Sequence, residues 1–231
     1  MERTLHYCGW VPRPRVHDLD HVLDVAERLI VDEGAHGLTV RGLSAASGVP
    51  NGAIYHAFGS AAALRGRMWL RAATEFLDLQ TRLVDEQLGT STTPEPDAAV
   101  AAVVAAADAL AVFAERRPEG ARMLLSVRRE QLLGPELPGE LADALLGLDR
   151  RLTSEVLCRL ALALWDRRDG PSVEVITSCV VDLPTALLGR ALRQPTTGGT
   201  APITTDLRTR LAAAVRGVLQ LDPPQNPAPH P

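Results

Sequence analysis

The chain has 231 residues, 46% of them hydrophobic and only 3% aromatic, with a formal net charge of −4. This length can bury a sizeable core, and a core drawn mainly from Leu, Ala and Val favours helices. The acidic balance excludes a generally basic nucleic-acid coat protein but leaves room for a local basic patch. Cys8, Cys158 and Cys179 have no paired spacing, which excludes a disulfide framework and fits a reducing cytoplasm.

The opening MERTLHYCGWVPRPR lacks the apolar stretch of a signal peptide, and residues 1–17 read as a flexible arm containing Pro12 and Pro14. From Leu19, apolar residues recur at Val22, Leu23, Ala26, Leu29 and Ile30, the stripe of an amphipathic helix with Asp18 as its cap and Gly34 as its stop. Thr39 caps a second short helix ending at Gly48, and a third fits Asn51–Ala57. A long fourth helix, Ser60–Leu88, follows, with Leu64, Met68, Ala72, Phe76, Leu79 and Leu83 facing one way. After the loop Gly89–Pro96, breakers divide the remainder into helices Asp97–Arg117, Glu119–Leu133, Gly139–Arg168, Ser172–Arg193 and Ile203–Leu221. No run approaches the roughly 18 apolar residues of a membrane span, and Asp97–Phe113 reads as a buried helix interrupted by Asp108. The last ten residues contain five prolines and read as a disordered tail. The predicted fold is all-α: an arm (1–17), a three-helix unit (18–60), a larger helical domain (61–221) and a tail (222–231).

The stretch Thr39–Phe58, TVRGLSAASGVPNGAIYHAF, carries the chemistry. Two short helices meet at Gly48, whose missing Cβ permits a left-handed turn. Val40, Leu43, Ser47, Val49, Ile54 and Phe58 supply a small shared core. Asn51, Gly52, Ala53, Tyr55 and His56 remain outward, small or polar, and suited to close approach in a major groove. From Gly34 to Thr74 there is no Asp or Glu, whereas Arg41, Arg65, Arg67 and Arg71 are all present. An acid-free, cationic surface is what a phosphate backbone requires.

Over about Leu19 to Leu70, AERLIVDEG followed by TVRGLSAASGVPNGAIYHAFGSAAAL resembles the N-terminal DNA-binding domain of the TetR family of repressors. The resemblance implies a helix-turn-helix and a homodimer on a near-palindromic, double-stranded operator. It also implies a small-molecule effector bound by the later helices. Carried over by position, Arg41 reaches a base edge or phosphate. Asn51, Gly52 and Ala53 form the leading turn of the recognition helix, Tyr55 and His56 hold phosphates, and Thr39 caps the second helix and offers its hydroxyl or amide to a phosphate. The chain departs from the pattern at Pro50, at Ala53 and at Ala61, where the family usually places a Ser, a Thr and a Lys. The resemblance implies a cytoplasmic regulator rather than an enzyme, with no cofactor.

Two late stripes suit a dimer interface: Ile176, Val180, Leu183, Leu187 and Ala191, and Leu207, Leu211, Val215 and Val218. They equally suit the chain's own core. For the effector, Arg122, Ser126, Arg128, Ser154 and Asp182 are candidate polar groups, with Met123 and Trp165 as apolar wall. The scarcity of aromatics predicts a mainly aliphatic pocket for an apolar or amphipathic molecule. The competing reading is a metal-dependent hydrolase using His17 and His21, four residues apart, with Asp18 between them. It lacks a third ligand, and Asp18 and Asp20 sit where acids favourably oppose a helix dipole.

Overall fold

A computed structural model describes residues 18–33, 38–89, 95–128, 130, 136–193, 203–223 and 225. Its helices are α1 (Leu19–Glu33), α2 (Val40–Ser47), α3 (Asn51–Phe58), α4 (Ala61–Leu88), α5 (Pro96–Arg116), α6 (Pro118–Ser126), α7 (Gly139–Arg151), α8 (Cys158–Trp165), α9 (Gly170–Thr177), α10 (Leu183–Arg193) and α11 (Thr205–Val218). No strand occurs among the described residues. The arm 1–17, Gly34 and most of the tail lie outside them.

Side-chain oxygens start five helices by satisfying otherwise orphaned N–H groups. Asp18 Oδ1 accepts from the amides of Asp20 and His21 at 3.0 and 3.2 Å. Thr39 and Ser60 accept from Gly42 and Ala63, each at 3.0 Å, and Asp169 and Thr204 from Ser172 and Leu207 at 3.0 and 3.3 Å. Asp169 also pairs with Arg167 at 2.6 Å; that bond, with the Ser172 amide, holds its carboxyl down at about 2.

Three apolar clusters organise the packing. The first joins α1, α2 and α3 through Val22, Ala26, Ile30, Leu43, Val49, Ile54 and Phe58. It does not stop at the turn before α4: Leu64, Met68 and Ala72 of α4 belong to it, as do Met123 of α6 and Val127 just beyond. The largest cluster lies between α4, α5 and the later helices. A third, smaller one clamps Ala63 of α4 against Leu137, Leu141 and Leu145. A Cβ on Gly66 would stand 2.7 and 2.8 Å from Leu141 and Leu137, so α4 needs glycine there to meet α7 closely.

Several helix ends differ from the sequence expectation. The helix predicted over Glu119–Leu133 ends at Ser126, where Val127 turns extended and its carbonyl accepts the Trp69 indole N–H at 3.0 Å. The helix expected over Gly139–Arg168 runs only to Trp165 and contains a π-turn at Leu152–Leu157. Asp166 ends it with a left-handed backbone (φ 52°), which a short polar side chain tolerates better than most. The span Gly170–Arg193 is likewise broken by a second π-turn at Ser178–Asp182. Hydrophobic periodicity has no signature for a one-residue bulge, so neither π-turn was legible.

Pro96–Arg116 and Gly170–Arg193 are long and apolar enough to cross a membrane by length and composition, which the count of uninterrupted apolar residues did not register. In the fold, α5 is covered by neighbouring helices: Ala99, Ala102, Val103, Ala109 and Ala111 are fully buried. Its alanines let α4 and α11 approach closely. On the α11 side, Arg208 pairs with Asp108, and with Glu115 at 2.7 Å.

Cys179 is fully buried, and loss of hydration pushes its thiol up to about 11. Cys158 is half-buried. A thiol reagent at pH 8 should therefore modify Cys158 in the folded chain and reach Cys179 only after denaturation. Mass spectrometry after timed labelling checks this, and equal rates at the two sites would contradict it.

Candidate functional site

The α2–turn–α3 unit is built as its sequence requires. Gly48 caps α2 with φ 71°, its amide bonded to the Ser44 carbonyl at 3.0 Å. Leu43, Val49, Ile54 and Phe58 are buried, whereas Val40 and Ser47 are only half-buried. Asn51, Gly52, His56 and Tyr55 (54% exposed) face solvent on α3, and Arg41 does so on α2. Ala53 is half-buried and packs on the N-terminal core. The Thr39 hydroxyl accepts from the Gly42 amide, as expected for a cap. Pro50 gives α3 no side-chain cap, and its carbonyl accepts from Ala53 and Ile54 instead.

Three of the four arginines of the acid-free stretch, Arg41, Arg67 and Arg71, have separate tasks. Arg41 is exposed on the outer face of α2. Arg67 donates to the Ala57 carbonyl at 3.2 Å and lies over the Phe58 ring at 5.9 Å, fastening the end of α3 to α4. Arg71 turns away to α1, where it bonds Asp24 and buried Glu27, each at 2.6 Å. Burial alone would push Arg71 down, but these carboxylates outweigh it and hold the guanidinium above its ordinary value. Arg117, at the α5–α6 junction, approaches the same Glu27 at 3.0 Å and Glu75 of α4 at 3.1 Å. The acids that bind Arg71 lie before residue 34, so the one-dimensional charge gap overstated the cationic face.

A second feature is a cavity of about 230 Å³ among α4, α5, α6, α7, the two π-turns and α10. Trp69, Phe76, Leu110, Leu125 and Leu152 give it apolar walls, and Asp149 and Thr185 stand at its exposed rim. Gln80 contributes a buried amide, 1% exposed. Its Nε2 donates to the Ala106 carbonyl at 2.9 Å, which fixes the amide's orientation and leaves Oε1 without a donor. Such an unmade bond costs about 1–3 kcal/mol. Trp69 links this cavity to the N-terminal core, because it lines the one and bonds the Val127 carbonyl beside the other.

None of Arg122, Met123, Ser126 and Trp165, the residues read from sequence as ligand contacts, lines the cavity. Met123 is buried in the N-terminal core, Ser126 is exposed with its hydroxyl on the Arg122 carbonyl, and Trp165 packs half-buried at the end of α8. Their neighbours Leu124 and Leu125 take the wall positions. Ser154 lines an open surface depression, and Arg128 and Asp182 are exposed. Ala73, Phe76, Leu77 and Gln80 recur at helical spacing, so a lone amide on an apolar stripe was the available signal for the cavity. Two aromatics, Trp69 and Phe76, stand where an aliphatic wall was expected.

Residues 22–68 match the family model described as bacterial regulatory proteins, tetR family. The α1–α3 unit and the start of α4 thus carry the sequence pattern of that family's N-terminal segment. Beyond the matched segment the similarity is one of fold. The TetR family regulator PfmR from Thermus thermophilus superposes with a TM-score of 0.56 at 16% identity, covering 86% of this chain and 97% of that one. A putative TetR-family regulator from Rhodococcus sp. gives 0.58 at 20% identity, covering 87% and 97%. A comparison with curated proteins finds no match. The α2–turn–α3 unit lies inside the segment that the family model matches. The metal reading finds no support: His17 lies outside the described residues, and among those residues no three His, Cys, Asp or Glu side chains converge.

Proposed function

We propose that this chain is a transcriptional regulator of the TetR family, a cytoplasmic repressor that binds a near-palindromic operator as a homodimer and is released by a small apolar or amphipathic molecule. The observation that carries the reading is the cavity lined by α4, the same helix that enters the N-terminal core through Leu64 and Met68. Two recognition helices must sit about 34 Å apart to reach successive major grooves. A molecule that binds best when α4 is tilted favours the wrong spacing, and only that difference in affinity is needed for release. Trp69 and Leu124, which touch both cavity and N-terminal core, supply the mechanical route. The dimer forms through the outward faces of α10 and α11, where Ala186, Arg190, Ala213 and Gly217 are exposed.

A gel shift on the DNA upstream of the chain's own gene tests DNA binding and its residue roles. Tyr55→Ala should weaken binding to every sequence, as for a phosphate contact. Arg41→Ala should lose about 1–3 kcal/mol and relax preference at one base pair, as for a guanine contact. Equal losses on all sequences would reduce Arg41 to a phosphate ligand.

Ala61, the first residue of α4, stands where the family resemblance places a lysine. Ala61→Lys should steepen the log–log salt slope by roughly two per dimer, at about 0.9 per phosphate. Affinity should rise for specific and non-specific DNA alike. An unchanged slope, together with a flatter one for Arg65→Ala, would assign that phosphate to Arg65.

A further inference from the structure

We propose that Arg67 is a positioning residue for operator recognition: it holds the C-terminal end of α3 at a fixed angle on α4, and so sets how well the chain discriminates its operator from other DNA. This rests on the reading of the α2–turn–α3 unit as the DNA reader.

The last carbonyls of α3, like those of any helix, have no partner within the helix. The Gly59 amide bonds that of Tyr55 at 2.8 Å, and the Arg67 guanidinium bonds that of Ala57 at 3.2 Å. A cation is favoured at this position, because the helix dipole leaves partial negative charge at that end. The same guanidinium lies 5.9 Å from the centre of the Phe58 ring, whose face attracts a cation. Phe58 is buried in the N-terminal core, so the contact ties Arg67 to a fixed point. One side chain of α4 thus grips two successive residues of α3. At the other end of α3, Pro50 supplies no side-chain cap. Hydrogen bonds to base edges need the helix correctly placed, whereas phosphate contacts hold on any sequence. Freeing the end of α3 therefore weakens binding to the operator more than binding to DNA in general.

Gel shifts on two duplexes of equal length test this: the DNA upstream of the chain's own gene and a scrambled copy of it. Circular dichroism confirms folding at the assay temperature. Arg67→Met keeps an unbranched stem and removes both contacts. It should weaken binding to the upstream DNA about tenfold and to the scrambled copy less than about threefold. The log–log salt slope on the scrambled copy should not change. Arg67→Lys, which keeps a cation and a donor, should restore most of the discrimination. Arg67→Ser removes the same contacts at this exposed position and gives the same comparison if the methionine variant does not fold. A lower melting temperature with undiminished discrimination would confine Arg67 to stabilising the fold and overturn the proposal. Equal losses on both duplexes, with a slope flatter by roughly two per dimer at about 0.9 per phosphate, would make Arg67 a phosphate ligand and overturn it too. A native chain that binds the two duplexes equally, or neither, would overturn the DNA-reader reading itself and this inference with it.

Discussion

Leu211→Glu is expected to unfold the C-terminal layer rather than to release two intact subunits. Leu211 is 1% exposed in the single chain and belongs to the largest core cluster, together with Val215, Ile176 and Val180. Removing the leucine costs about 2–5 kcal/mol, and an unpaired carboxylate in its place adds a desolvation penalty of at least a few more. That total approaches the whole stability of a typical domain, about 5–15 kcal/mol. Circular dichroism should show loss of cooperative unfolding at ordinary temperature, and size exclusion should show aggregate. A folded Leu211→Glu monomer would mean that α11 packs on a partner and not on α5 of its own chain. The dimer is therefore better interrogated from outside, where Ala213→Arg should leave the melting temperature within a few degrees and raise the dimer dissociation constant. A stripe of apolar residues can face its own core or a partner, and periodicity alone cannot separate the two; burial in the single chain resolves it for these four residues.

The second large effect is expected at Glu27. This carboxylate is 2% exposed and accepts from Arg71 and Arg117, which come from α4 and from the α5–α6 junction. Glu27→Gln keeps the shape but leaves two guanidinium groups around a neutral amide. Breaking one partner of a buried ion pair costs about 3–5 kcal/mol. The exposed acids Asp20 and Asp24 and half-buried Glu75 retain part of the attraction, so a value near the lower end is expected. Urea unfolding should show it as a lower midpoint at unchanged slope. A loss below about 1 kcal/mol would place the cluster among ordinary surface ion pairs. Because the cluster ties α1 to α4 and α6, the variant should also blunt effector-induced release from DNA. Loss of stability with full retention of release would confine Glu27 to a structural role.

The N-terminal unit was the most legible part of the chain because its constraints are local. Thr39, Gly48 and the buried set Leu43, Val49, Ile54 and Phe58 lie within a span of about twenty residues, each with a caps-or-core reason of its own. The cavity was much less legible, since its walls come from residues as far apart as Trp69 and Thr185. Which of Met123, Leu124 and Leu125 faces it depends on the rotation of α6, and a nine-residue helix has too little periodic signal to fix that angle. The same limit explains Arg71: its partners lie about fifty residues earlier in the chain, where a sliding charge count does not look.

The two π-turns give this architecture an unusual tolerance for changes in length. Both border the cavity, Leu152 from the first and Val180 and Val181 from the second. A π-turn accommodates one residue more than the α-helical ladder needs and is confined to a single turn. Deleting one residue within Ser178–Asp182 would let the ladder close as ordinary α-helix. Four residues of α-helix turn through nearly the same angle as five of π-helix, so the flanking helices would keep their register and Pro184 and Thr185 their places on the wall. The same deletion in a regular turn of α10 would instead rotate everything beyond it by about 100°. A single in-frame deletion at a π-turn is thus absorbed where it occurs, without reshuffling the side chains that line the cavity.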